Sequence, residues 1–140
     1  MHRPTAAFVL ALVLAACGER PSDGPPPAPA PKALSPDEAA RAVALLNRGI
    51  GSLERYDYGQ AAATLEEAAA LAPAWYAVRL HLALAYLHAG AETRPKALDM
   101  MRALLEEKPD DVRALFATAI LCENAGSIEE ALPYYRRAYE

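Results

Sequence analysis

The chain has 140 residues, a formal net charge of −4 and a composition more than half apolar, enough for one modest domain with its own core. Its 14 lysines and arginines are scattered, and no basic stripe runs beside exposed aromatics, which excludes nucleic acid as a partner.

The first segment reads as a secretory signal. Arg3 and the free amine give a thin positive start, Ala6 to Ala16 form an apolar stretch, and small residues close it. That stretch is too short to stay in a bilayer as a spanning helix. The run Leu14-Ala15-Ala16-Cys17 resembles a bacterial lipobox. The resemblance implies removal of residues 1–16, a diacylglyceryl group on the Cys17 sulfur and acylation of its new amine. One acyl chain holds a protein to a membrane only marginally, whereas two or three hold it durably. The alternative is a plain secretory signal that ends beside a cysteine by chance. Loss of Arg3 with the signal moves the net charge from −4 to −5. Gly18 stands where inner-membrane lipoproteins commonly carry aspartate, so the resemblance implies an outer-membrane anchor facing the periplasm. With Cys17 lipidated, Cys122 is the one thiol left; no internal disulfide can form, and a small buried helix residue is expected there.

Residues 17–35 are expected to form a disordered linker, with prolines at 21, 25, 26, 27, 29 and 31. Such a stretch cannot build a core and favours extended polyproline conformations. Residues 18–34, fully extended at about 3.1 Å each, would reach on the order of 50 Å. It reads as a spacer, with a proline-rich docking motif as the alternative.

From Ser35 onward the signals are helical and strand signals are absent. Ser35-Pro36-Asp37-Glu38 combines an N-cap hydroxyl, proline in the first turn and a glutamate three residues on. Ser127 to Glu130 predicts a second capping box, and Pro133 lies where it should kink the last helix. Small residues then recur at fixed spacing. Gly49 is followed by Ala61, Leu65, Ala68 and Pro73; Ala83 by Ala97, Met101, Leu104 and Pro109; Ala119 by Ala131, Tyr135 and Ala138. Paired small residues let two helix axes approach, a larger residue one turn later fills the gap, and proline ends the unit.

This pattern resembles the tetratricopeptide repeat (TPR), a helix–turn–helix unit of about 34 residues. Leu82-Ala83 followed by Tyr86 is the best match to the first helix of that family, and Gly90 and Gly126 mark its turns. Arg48, where the family prefers leucine, weakens the first unit, and Ser52 and Cys122 replace its usual tyrosine. The resemblance implies an all-α superhelix of about three repeats over residues 36–140, divided as 42–75, 76–111 and 112–140. It also implies a groove lined by the first helix of each unit. Mapped onto this chain, the central row of that groove is Leu46, Ile50, Leu80, Leu84, Phe116 and Ile120. An open row of this kind exposes more apolar surface than a soluble monomer normally tolerates, so a protein or peptide partner, the chain's own linker or another copy should cover it. If three repeats curve too little to form a groove, the same residues fall into ordinary core contacts. Leu132, Tyr135 and Tyr139 pose a similar question on the last helix: they dock a partner or face inward.

No catalytic constellation is found. His81 and His88 are seven apart, too far for two ligands of one metal on a single helix, and read as polar residues of the groove wall. The pairs Glu66-Glu67, Glu106-Glu107 and Glu129-Glu130 are neighbours that point apart. No enzyme activity, cofactor or metal is expected. The function expected is a lipid-anchored periplasmic scaffold in envelope assembly, secretion or pilus biogenesis; the alternative is an accessory or regulatory subunit of an envelope enzyme complex.

Overall fold

In the computed structural model, residues 33–140 are described. The predicted signal, Cys17 and nearly all of the proline-rich linker lie outside them. Six helices follow in order: α1 Pro36–Glu54, α2 Tyr58–Leu71, α3 Tyr76–Ala89, α4 Arg94–Glu107, α5 Val112–Asn124 and α6 Ile128–Tyr139. They pack as three helix–turn–helix pairs, with no strand among the described residues. None of these helices is long and apolar enough to cross a membrane.

The first capping box forms. The Glu38 amide donates to Ser35 Oγ at 3.2 Å, and the Ser35 amide donates to Glu38 Oε2 at 2.8 Å. This cap starts α1 ahead of the first repeat and makes it the longest helix. The second capping box does not form. Ser127 sits at the N-cap of α6 without a side-chain bond, and Glu130 instead accepts from Arg102 of α4 at 3.3 Å. An ion pair with a neighbouring helix has taken the glutamate that the local pattern assigned to the cap. Helix α6 also runs through Pro133 without ending there.

Side-chain size sets how closely the pairs approach. Gly49, Ala83 and Ala119 on the first helices are buried, as are Ala61, Ala97 and Ala131 on the second. A Cβ on Gly49 would stand 2.4 Å from Leu65 Cγ, so α1 and α2 meet at van der Waals distance only because that carbon is missing. Leu65 and Met101 fill the gap in the first two units with no exposed surface. Tyr86 joins three consecutive helices: its hydroxyl donates to Glu66 of α2, and Lys96 of α4 donates to that hydroxyl at 2.6 Å. Burial, then the bond to Glu66, raises the Tyr86 phenol above its ordinary range.

The turns differ in how they reverse the chain. Gly126 takes φ +81°, the left-handed region open to glycine, between α5 and α6. Tyr56 holds the equivalent place after α1 at φ +62°, a costlier choice for a residue with a Cβ. The Asp57 amide then bonds back to the Ser52 carbonyl at 2.9 Å, as the Ser127 amide does to the Cys122 carbonyl.

Two patterns of contact decide which side is the inside. Helix α3 touches both α1 and α5, so the three first helices lie side by side. The backbones of α2, α4 and α6 make no such contacts with one another. First helices drawn together and second helices held apart give an array with α1, α3 and α5 on its inner face.

Candidate partner-binding site on the inner face

The six residues of the predicted central row do not share one environment. Leu80 has no exposed surface and sits in the main core with Leu65, Leu82 and Met101. It is withdrawn from the row, since a partner could not reach it. Leu87 and Ala117, on the same first helices α3 and α5, are buried too. Leu46, Leu84 and Ile120 are half-buried and lean on the same core. Ile50 is half-buried, and Phe116 is open, with 53% of its surface exposed. Val43, one turn ahead of Asn47 on α1, is exposed as well.

What remains is an apolar strip of Val43, Leu46, Ile50, Leu84, Phe116 and Ile120 across the three first helices. Its polar borders are Asn47 and Glu54 on α1, His88 on α3, and Arg113, Glu123 and Asn124 on α5, all exposed. Both histidines are held by local contacts. His81 Nδ1 lies 2.7 Å from the Ala77 carbonyl, and His88 stacks on Tyr58 with ring centres 4.8 Å apart. No group of three or more metal-ligating side chains exists among the described residues. Arg113 is held by Asp111 at 3.8 Å, on the acid that also caps α5 through the Arg113 and Ala114 amides.

Tyr135 joins the site from α6. Its ring meets Phe116 edge to face at 5.6 Å, and its hydroxyl donates to Glu123 at 2.8 Å. The Glu123 carboxylate, with some burial, raises that phenol above its ordinary range. The repeat spacing carries a signal for this: Tyr135 stands at the position of Leu65 and Met101, which face the paired helix. Leu132 and Tyr139 point elsewhere. Their equivalents Ala62 and Leu105 are buried, and Leu98 and Ala69 half-buried, in units followed by another helix, whereas Leu132 is 54% and Tyr139 95% exposed. So Tyr135 turns inward, while the other two present a bare apolar face on α6.

Cys122 is fully buried in a small cluster with Ala119 and Ala131, and burial pushes its thiol up. That is the environment of a packing residue and not of a nucleophile.

No family model matches the chain, and neither does any curated protein. Solved structures do. Two mutants of MamA, a TPR-like helical-repeat protein, superpose with TM-scores of 0.62 and 0.61 at 25% and 27% sequence identity. They cover 74% and 75% of this chain. The chain in turn spans 56% of the first of them and 73% of the second. Its fold is therefore TPR-like, as the small-residue spacing led one to expect.

Proposed function

We propose that this chain is a membrane-anchored periplasmic scaffold. Its repeat domain binds a protein or peptide partner on the inner face, in envelope assembly, secretion or pilus biogenesis. The likeness to MamA supports the coarse part of this reading, a protein-interaction scaffold. The observation that carries the site is Phe116. An aromatic ring more than half exposed, braced by Tyr135 and one helical turn from Ile120, is the kind of preset apolar anchor that interfaces bury. Charged residues border the strip on α1 and α5, as a polar rim does. The anchor rests on the lipobox resemblance at Cys17, and the outer-membrane placement on Gly18.

The site is tested by co-purification from crosslinked cells with Phe116→Glu and Ile50→Glu. Both variants should keep the wild-type helical signal and lose the partner. A doubly substituted protein that still retained every partner would sink the inner-face assignment. Cys17→Ser tests the anchor separately: the variant should leave the membrane fraction, and only the wild type should incorporate labelled fatty acid.

A further inference from the structure

Helix α6 carries a second apolar surface, apart from the inner face. Ile128, Leu132 and Tyr139 are all more than half exposed on it. The same side of α2 and α4 faces the first helix of the following unit: Ala62 and Leu105 are buried there, and Glu66 accepts from Tyr86 of α3. Among the described helices α6 packs on α5 alone, and nothing covers this side of it. Two charges run along one border of the surface. At 3.6 residues per turn, Ile128, Glu129, Leu132, Arg136 and Tyr139 fall within about 100° of arc, with Glu129 and Arg136 together at one edge. The steps of three, four and three from Glu129 through Leu132 and Arg136 to Tyr139 are those of a coiled-coil seam. Neighbouring charges are already engaged, Glu130 with Arg102 at 3.3 Å and Arg137 with the Pro109 carbonyl at 2.6 Å. Glu129 and Arg136 make no ion pair among the described residues. Two turns of helix, about 10 Å, keep them from pairing with each other.

We propose that a second copy of this chain covers the surface, α6 against α6, antiparallel about a twofold axis beside Leu132. The charges select this occupant. Glu129 stands three residues before Leu132 and Arg136 four after it, so the axis sets Glu129 of each copy opposite Arg136 of the other. Lying across the helices, the same axis brings both charged borders to one side. A parallel pair would put the borders on opposite sides and leave the charges apart. Stacking α6 on α1 of another copy fails on charge as well. Within the chain, Arg102 lies beside Cys122; by the same geometry Arg136 would lie beside Ser52, between the exposed Arg48 and Arg55. In the antiparallel pair Leu132 packs on its own counterpart, and Tyr139 of each copy reaches Ile128 of the other. Two helices of 12 residues meeting along one seam bury less than a standard interface, so the dimer is a weak, exchanging one with a dissociation constant of roughly 10–100 µM. Using one patch on both copies closes the assembly at two. The seam takes no residue of the inner-face strip, so each dimer presents two inner faces.

Sedimentation velocity of the full chain in mild detergent, over roughly 5–500 µM, reads the monomer–dimer equilibrium. Glu129→Arg and Arg136→Glu, both at exposed positions, should each raise the dissociation constant about tenfold or more, because each sets like charges opposite one another twice per dimer. The variant with both changes rebuilds the pairs in reverse and should return to within about threefold of wild type. Wild type that stayed monomeric throughout would overturn the proposal. So would single reversals without effect, since two chains merely sharing a micelle do not sense these charges, and so would a double variant no tighter than either single one. Phe116→Glu should leave the equilibrium unchanged, which keeps failure here separable from failure of the inner-face reading; loss of the dimer in that variant would move the contact off α6 and overturn the assignment.

Discussion

Leu80 and Leu84 stand one turn apart on α3, and their truncations should have opposite consequences. Leu80 is fully buried among Leu65, Leu82 and Met101, whereas Leu84 only leans on that core. Replacing a buried leucine by alanine removes its transfer free energy and leaves a cavity, together about 2–5 kcal/mol. The middle of that range is a large share of the roughly 5–15 kcal/mol that holds an ordinary domain together. For a domain of about this size each kcal/mol moves the melting temperature by roughly 4–8 °C, so Leu80→Ala should lower it by more than 10 °C. Leu84→Ala gives up only part of one side chain's burial and should cost about 1 kcal/mol, a few degrees at most. Thermal melts followed by far-UV circular dichroism measure both. Co-purification should separate them the other way: Leu84→Ala weakens partner retention, while any Leu80→Ala protein that stays folded retains it. A Leu80→Ala melting temperature within 3 °C of wild type would refute the placement of Leu80 in the core. The inner face would then have to be redrawn around it.

Four further outcomes follow from single observations. Gly49→Ala gains about 1 kcal/mol of helix propensity, but its Cβ would sit 2.4 Å from Leu65 Cγ, an overpacking that costs about 1–3 kcal/mol; urea titration should show a net loss, and a gain would mean that α1 and α2 pack less closely. Tyr56→Gly removes the left-handed penalty at φ +62° on a residue 78% exposed, and should raise stability by about 0.5–1 kcal/mol in the same titration. The hydrogen bond from Arg79 holds the Glu107 carboxyl below its ordinary value, so that stabilisation is complete above about pH 4.5 and is lost as pH falls through the lowered value; the pair is half-exposed, so Glu107→Gln should flatten the acid limb of the stability profile by less than about 1 kcal/mol. Cys122 should resist iodoacetamide in the folded protein and react fully in denaturant, as read by mass spectrometry; fast native labelling would contradict its burial.

The fold was legible wherever a residue's size mattered at fixed spacing. Gly49 with Leu65, Ala83 with Met101 and Ala119 with Tyr135 are local steric conditions that every unit must meet in the same way. The site was less legible, because position in the array changes what one place in the repeat experiences. Leu46, Leu80 and Phe116 hold equivalent places, yet they are half-buried, fully buried and 53% exposed. Helix α3 is pressed by α1 on one side and α5 on the other, whereas α1 and α5 each have one such neighbour among the described helices. No spacing rule within a unit carries that difference. Arg48 makes the same point from the other side. Its equivalents Leu82 and Thr118 are buried, and against the repeat pattern an arginine there looks like a flaw. Arg48 is exposed on the first helix of the array, where no preceding described helix covers it and a charged side chain suits the surface better than a leucine would. Departures from the repeat thus record where a unit stands in the stack, and they become readable once the neighbours of each helix are known.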